Sequence, residues 1–364
     1  MSTSTSAADG GRVLSLTAGQ LPKFTPLATL VVSFAVAAGL TALAQSASFA
    51  SITALGVVLF LIAIFALSAS VEGFRRAKDR LARYVVTGFF LLALLPLVSL
   101  LWSTIASGLA RFDGDFFSNS MRGVVGHGGG AVHAIWGTLI VTGLATLVSV
   151  PVGLFTAIFL VEYGDNGKLA QLIRFFVDVM TGIPSIVAGL FAYTVFAQIF
   201  TPDTKAGMVG AAALTVLMIP TVVRSTEEML RLVPNELREA SYALGVPKWL
   251  TILKVVLPTS IAGIITGVVL AIARIIGETA PLLVTAGFTP SMNLNPFTDA
   301  TGATNSPMMT LPVFVYYQYT QPGVPAQAGI DRAWAGALAL ILIVMALNLL
   351  GRLIAWKFAP KPGR

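Results

Sequence analysis

The sequence contains no cysteine, and histidine occurs only twice in 364 residues. The absence of cysteine excludes a disulfide framework and thiolate chemistry. His127 and His133 lie six residues apart around a glycine run. Two histidines without a third ligand are too few for a stable metal site. No metal site is therefore predicted.

Common catalytic patterns are also missing. The chain has neither H-E-x-x-H nor G-x-S-x-G, and GDNGK at 164–168 lacks the spacing of a phosphate-binding loop. We expect no catalytic residue and no cofactor in this chain. Any nucleotide hydrolysis must be carried out by another polypeptide.

Charged residues are scarce. They make up 11% of the chain, hydrophobic residues make up 56%, and the mean hydropathy is +0.85. A soluble domain carries about 25% charged residues. The composition indicates an integral membrane protein surrounded by lipid, so the net charge of +7 does not point to a nucleic acid partner.

Long apolar runs predict the fold class. A helix needs about 20 apolar residues to cross a bilayer, and runs of about this length predict eight helical spans. Barrel strands are not expected, because they require short alternating segments. The fold class is therefore all-α and polytopic. The predicted spans are 27–44, 51–70, 84–106, 134–160, 172–200, 207–224, 259–284 and 333–355.

The distribution of positive charge predicts the orientation. With a cytoplasmic amino terminus, the inside segments hold 18 of the 23 Lys and Arg residues. This bias is typical of cytoplasmic loops, so both termini are expected in the cytoplasm. The small residues Ala42 and Ala44 also fit a signal-peptidase site. Cleavage there would leave the later topology unchanged.

The chain divides into five predicted parts. Residues 1–26 form a disordered cytoplasmic tail, and 27–70 an accessory pair of transmembrane helices. A basic cytoplasmic linker, 71–83, joins this pair to a six-span body, 84–356. Residues 357–364 form a second cytoplasmic tail.

A short helix is predicted at 234–244, between two spans on the cytoplasmic side. Pro234 suits a helix start, whereas Gly245 and Pro247 suit a stop. At 1.5 Å per residue the helix is too short to cross a membrane. It could transmit movement between the spans or lie on lipid headgroups, and the residues alone do not separate these alternatives.

Arg274 stands inside the predicted span 259–284. Helical spacing places Gly267, Ala271, Arg274 and Glu278 in one stripe. An arginine in this position requires a partner charge, protein or water around it, and Glu278 is the predicted partner. Thr279 adds a hydroxyl. The stripe could bind a passing oxyanion, or the pair could only lock helix packing.

Other polar residues near the spans have weaker signals. Arg224 ends the predicted span 207–224, where it could anchor at the membrane edge or line an anion exit. Asp178 would repel an anion, so it is interpreted as structural or as an arginine partner. Gly182, Pro184 and Ser185 are expected to break the helix around them.

Several segments resemble one transporter family. Glu239-Ala240-Ser241 followed by Gly245 is similar to the EAA loop of ABC importer permeases, which here covers 225–258. Further similar segments are LVEYG at 160–164, GIPSIVAGLF at 182–191, RSTEEMLRLVP at 224–234, REASYALG at 238–245 and RIIGETAPLL at 274–283. Over 84–356 the chain resembles PstA permeases of bacterial phosphate-specific ABC importers. Family members typically begin at the span predicted from 84.

The resemblance implies a phosphate importer of the bacterial cytoplasmic membrane, with a six-helix type I permease core behind two extra helices. It implies a second homologous permease in a heterodimer, two ATPase subunits that use ATP and Mg²⁺, and an extracytoplasmic phosphate-binding protein. The short helix would dock on the ATPase through Leu237, Glu239, Ala240, Leu244 and Gly245. The substrate pathway would include Arg224, Arg274, Glu278 and Thr279.

Two alternatives stay open at this point. An ABC permease for another oxyanion, such as phosphonate or molybdate, would keep the 234–244 helix. An ion-coupled secondary transporter would use Arg274 and Glu278 as an ion relay and would need no ATPase.

Overall fold

The computed structural model describes residues 21–45, 48–164, 167–297 and 306–358. Helices dominate this part of the chain, which confirms the all-α class. Seven of these helices are long and apolar enough to cross a membrane, and a bent pair makes eight if it forms one span. The chain groups into two units, Met1–Leu101 and Trp102–Arg364.

The first unit is built on a helical hairpin. Helix α1 covers Thr25–Leu43 and α2 covers Phe49–Glu72, with Ser48 capping the start of α2. Both helices bury a residue at every fourth position, so each turns one narrow face inward. Six of these eight positions hold Gly, Ala, Ser or Thr, small residues that permit close packing in a membrane. The buried residues are Thr29, Ser33, Ala37 and Thr41 on α1 and Gly56, Phe60, Ile64 and Ser68 on α2.

The predicted basic linker is mostly helical. Helix α3 covers Phe74–Gly108 without interruption, so residues 74–83 form its first turns and the linker is not a separate segment. Only Gly73, with φ +88°, separates α2 from α3. The following Arg, Lys, Ala and Leu residues are good helix formers, and nothing among them stops the helix. Of the predicted disordered tail, residues 1–20 lie outside the described residues, whereas Thr25 already starts α1.

The second unit contains the remaining helices. Two π-helical turns, Phe159–Tyr163 and Ile252–Val256, continue α5 and precede α11. The helices are α4 (Gly114–Ser118), α5 (Val132–Ile158), α6 (Lys168–Thr181), α7 (Ser185–Ile199), α8 (Gly207–Arg231), α9 (Asn235–Ala243), α10 (Lys248–Thr251), α11 (Leu257–Ile275), α12 (Ala280–Thr285), α13 (Leu311–Thr320) and α14 (Ala326–Phe358). Within 357–364, the second predicted tail, Lys357 and Phe358 belong to α14, and 359–364 lie outside the described residues.

Helix α8 is the most buried of the spanning helices. Of its most apolar stretch 61% is buried, against 28% or less for the other six spanning helices. It packs against α5, α6, α7, α11 and α12. Polar groups placed on α8 are therefore held between neighbouring helices, and the candidate functional site depends on this position.

Two predicted spans are not continuous helices. The span expected at 172–200 is split into α6 and α7, which are bent by 108° at residues 182–184; the predicted helix break is confirmed. The span expected at 259–284 ends at Ile275, and the chain becomes helical again at Ala280. In both places a proline stands at or next to the new helix start, where its missing N–H is tolerated.

Residues 306–320, which include α13, pack against the bundle. Met308, Met309 and the first turn of α13 are buried. The backbone N–H of Leu311 donates to Thr138 Oγ1 on α5 at 2.7 Å. A side chain is excluded at Gly137, because an added Cβ would lie 1.9 Å from the carbonyl oxygen of Met309.

Replacing Gly137 with alanine should therefore force this segment away from α5. Overpacking of this kind costs about 1–3 kcal/mol, so we expect a lower thermal unfolding midpoint for the purified protein in detergent. Gly143 is on the same helix and has nothing within 4 Å of an added Cβ, which makes Gly143→Ala the matched control. Equal midpoints for the two variants would contradict the packing described.

Candidate functional site

Arg274 lies in the last turn of α11, and its side chain is exposed. Its Nη1 donates to Thr221 Oγ1 on α8 at 3.3 Å. The predicted ion pair with Glu278 is wrong: no such pair forms between these two residues, both of which the structure describes. The helix ends at Ile275, and the N–H of Glu278 turns back to the Ile275 carbonyl at 3.1 Å. The i, i+4 spacing that predicted the pair requires a continuous helix.

Thr279 lines a cavity that Arg274 does not border. It borders a space of about 490 Å³ between α12 and α13, together with Leu283 and Tyr316. Its carbonyl accepts from the N–H of Leu283 at 2.9 Å. The structure thus gives Thr279 a place beside α13 and no hydrogen bond to Arg274 within the described residues.

A groove lies between α8 and α11, with the end of α14 as part of its wall. It encloses about 540 Å³ and has mostly apolar walls. The two helices approach closely, because an added Cβ on Gly267 would lie 2.6 Å from Ser225 Oγ. Thr221 is one turn before Ser225, so the Arg274–Thr221 contact extends the same face of α8. The groove is lined by Ser225, Glu228, Met229, Ala262, Gly263, Thr266, Gly267, Leu270, Ala355 and Trp356.

Arg224 lies inside α8, which continues for two more turns to Arg231. The prediction that Arg224 ends its helix is therefore wrong. Its Nη2 pairs with Asp178 on α6, which confirms Asp178 as an arginine partner. Thr221 and Arg224 are three residues apart and share one face of α8. Arg274 of α11, which contacts Thr221, therefore reaches the face of α8 that carries Arg224.

Glu227 connects three arginines and was missed by the sequence analysis. Its carboxylate is buried, and it accepts from Arg231 Nη2 at 2.5 Å and from Arg174 Nε and Arg224 Nη1 at 3.4 Å each. The spacing of Arg224, Glu227 and Arg231 on one helix was the available signal. With Asp178 counted, three positive groups face two negative groups, so the cluster keeps one excess positive charge.

The predicted short helix is confirmed as α9, which begins one residue later and ends one residue earlier than expected. Pro234 precedes it, and Gly245 follows it with φ +77°, a conformation that favours glycine. The side chains of Leu237, Glu239 and Ala240 are exposed, and Leu244 is 83% exposed. The face expected to dock on an ATPase is thus uncovered in the isolated chain.

The opposite side of α9 is anchored by Arg238, which was also missed. Its Nη2 and Nε donate to Glu162 Oε1 at 2.8 and 3.1 Å, and further donors reach the carbonyls of Val233 and Leu230 at 2.7 and 3.0 Å. Glu162 is buried in the π-helical turn after α5. Arg238 therefore ties α9 to the end of α5.

The same π-helical turn contacts two more elements. Lys248 Nζ at the start of α10 lies 5.0 Å from the Tyr163 ring centroid. Arg174 Nη2 on α6 donates to the Leu160 carbonyl at 3.0 Å. The π-helical turn thus contacts α10, which follows α9, and α6, whose Arg174 also contacts Glu227.

The two histidines lie in different surroundings. His133 is buried on α5 with its ring 5.7 Å from that of Phe314, and His127 lies in the glycine-rich loop before it. In the described parts of the chain, no group of three His, Cys, Asp or Glu residues could hold a metal ion.

Residues 149–363 match the family described as binding-protein-dependent transport system inner membrane component. The PstA 1 phosphate transport system permease protein of Mycobacterium tuberculosis is 45% identical over 283 residues, which cover 77% of this chain and 89% of that protein. The corresponding protein of Yersinia pestis is 40% identical, with 78% and 92% coverage.

Solved transporters share the fold at lower identity. A bacterial alginate ABC transporter chain gives a TM-score of 0.57 at 13% identity, covering 78% of this chain and 96% of that chain. The inward-facing MetNI methionine ABC transporter gives 0.50 at 21% identity, with 63% and 96% coverage. The chain is a multi-pass membrane protein, and it belongs to the PstA family of binding-protein-dependent transport permeases.

Proposed function

We propose that this chain is the membrane-spanning permease subunit through which an ATP-driven importer moves inorganic phosphate into a bacterial cell. The observation that carries the proposal is the placement of two arginines beside α8, in a chain of the PstA family. Arg274 of α11 donates to Thr221, and Arg224, three residues further along α8, pairs with Asp178. A guanidinium offers planar paired donors that match phosphate oxygens.

Arg274 is the proposed first contact for phosphate in this chain. Its hydrogen-bond partner among the described residues is the neutral hydroxyl of Thr221, so most of its donors are open to an anion. Glu278, without an ion pair to Arg274, has the proposed role of limiting how long the anion stays. Thr279 is proposed to act from the α13 side of the same helix break.

Arg224 is the proposed second contact. It already shares its donors with Asp178 and Glu227, so phosphate must compete with two carboxylates there. Transport needs binding that is favourable and also reversible. The excess positive charge of the cluster attracts the anion, and the competition keeps its binding weak.

The proposed partners follow from exposed surfaces. A second homologous permease would cover the α8–α11 groove, where Leu270 and Trp356 are exposed, and would complete a heterodimer. Two ATPase subunits would bind ATP and Mg²⁺, and one of them would dock on Leu237, Ala240 and Leu244. An extracytoplasmic phosphate-binding protein would deliver phosphate on the opposite side. The chain would lie in the bacterial cytoplasmic membrane, with both termini in the cytoplasm.

A continuous series of polar contacts supports coupling between the docking helix and the pathway. The first three steps join different elements and the last lies within α8, so movement of α9 would reach α8 through contacts centred on the buried carboxylates of Glu162 and Glu227. The distances along it are 2.8, 3.0, 3.4 and 3.4 Å. In order from α9, it contains Arg238, Glu162 with the nearby Leu160 carbonyl, Arg174, Glu227 and Arg224.

An ion-coupled secondary transporter is less well supported. That alternative used Arg274 and Glu278 as a relay. It required the two residues to lie one turn apart on a continuous helix, and the helix ends at Ile275, between them. An importer of another oxyanion would use the same arginines, and uptake measurements with competing oxyanions distinguish it.

Arg274→Gln should lower the initial rate of labelled phosphate uptake by at least about tenfold, because a charge-assisted hydrogen bond contributes about 1.5–3 kcal/mol. Gln keeps a donor for Thr221, so expression and subunit assembly should be unchanged. Arg352→Gln removes an exposed arginine of α14 that does not contact Thr221 and is the control. Unchanged uptake in the Arg274 variant would rule out its role.

Gly245→Asp should abolish copurification of the ATPase subunit, because an aspartate strains the backbone at φ +77° and displaces the exposed end of α9. The matched control is Gly73→Asp, at φ +88° with open space around it, for which ATPase recovery should equal wild type. Retention of the ATPase by the Gly245 variant would contradict docking at α9.

A double-mutant cycle tests the Arg238–Glu162 step. Arg238→Gln and Glu162→Gln should each reduce phosphate imported per ATP hydrolysed, and the double variant should lose no more than either single variant, because both remove one shared interaction. Glu236→Gln, on the exposed side of α9, should have no effect. Independent losses that multiply in the double variant would show that the two residues do not act together.

A further inference from the structure

A polar cavity lies in the unit Met1–Leu101, where α2 ends and α3 begins. It encloses about 330 Å³, and polar surface dominates its walls. The matched transport family begins only at residue 149, so the proposed pathway does not account for this cavity. Its walls are formed by Leu21, Glu72, Arg76, Asp79, Arg80 and Arg83.

Glu72, the buried acidic group of the cavity, is already neutralised, whereas Asp79 is exposed at the cavity wall, so three arginines face two carboxylates. Glu72 accepts hydrogen bonds from the Leu21 N–H at 2.8 Å, from Ser68 Oγ at 2.7 Å and from Arg80 Nη2 at 2.7 Å. Its side chain is only 3% exposed. Arg80 is thereby fixed as one wall, and Glu72 has little capacity left to bind the neighbouring arginines.

Arg76 and Arg83 supply the free positive charge. They precede and follow Arg80 by four and three residues on α3, so the three arginines share one helical face. Both are exposed at the cavity, and neither forms an ion pair with any residue that the structure describes. Their guanidinium donors are open to an anion.

The cavity stands at the boundary between apolar and polar chain. Helix α2 ends there after an apolar span, and α3 carries charged residues only in its first ten positions before a long uncharged stretch. The part of α3 beyond the cavity is apolar and open, and Val86 and Phe90, three and seven residues after Arg83, are each more than 60% exposed. An acyl chain could cover this surface while a headgroup occupies the cavity.

We propose that Arg76, Arg80 and Arg83 form a binding site for the phosphate group of an anionic phospholipid. Arginine binds phosphate oxygens through paired donors, and basic pockets beside spanning helices on the cytoplasmic side suit such headgroups. A free phosphate ion has the same oxygen chemistry. The adjoining exposed apolar face of α3 favours the lipid, because only a lipid uses both surfaces. This proposal is independent of the proposed phosphate pathway.

The test uses the purified full-length chain and native mass spectrometry, with phosphatidylglycerol or phosphatidylethanolamine added in turn. We expect wild type to retain phosphatidylglycerol preferentially, and Arg76→Gln/Arg83→Gln to weaken its binding by about tenfold or more. Arg80 is left unchanged because it holds Glu72. Equal retention of the two lipids by wild type would overturn the proposal.

The control removes the same charge from the same turns. Arg75 and Lys78 are exposed on α3 but do not line the cavity, and Lys78 Nζ lies over the Phe74 ring at 4.7 Å. Arg75→Gln/Lys78→Gln should retain phosphatidylglycerol like wild type. Equal weakening in both double variants would mean general charge attraction and would overturn the site. Displacement of the lipid by millimolar inorganic phosphate, with phosphate itself bound, would overturn the lipid as the ligand.

Discussion

A carboxylate buried inside a membrane-spanning bundle stays charged only when opposite charges surround it. Glu227, on the most buried helix, meets this constraint with Arg174, Arg224 and Arg231. Removing an arginine leaves the buried carboxylate with fewer positive partners, which is destabilising. The approach of α6 to α8, and hence the position of Arg224, depends on this neutralisation.

The same constraint operates at the cytoplasmic end of α5. Glu162 is buried in a π-helical turn, where the wider turn redirects side chains from the preceding helical face. It is neutralised by Arg238 from α9. Glu162 thus holds the short helix α9 through Arg238, and Glu227 holds α6 against α8 through Arg174. Arg174 lies between them, because it contacts both the Leu160 carbonyl and Glu227.

Features determined by local sequence could be predicted. Long apolar runs reveal spanning helices directly, and the limits of α9 follow from Pro234 and Gly245 to within one residue. The predicted ion pair of Arg274 with Glu278 was wrong because it assumed a continuous helix, whereas the helix is interrupted between Ile275 and Ala280. Glu162 and Arg238 are 76 residues apart, so no local pattern could pair them. Only the packing of α5 against the α9 region brings them together.

The proposed pathway gains its direction from the unequal state of its two arginines. Arg274 bonds a neutral hydroxyl, whereas Arg224 is shared by Asp178 and Glu227. An anion that reaches Arg274 therefore displaces little, and at Arg224 it must replace an existing carboxylate contact. If movement of α9 is passed through Glu162 and Arg174 to Glu227, it changes how strongly that carboxylate competes for Arg224. Affinity at the second arginine would then follow the state of the ATPase, while affinity at the first would not, and this difference would give the proposed pathway its direction.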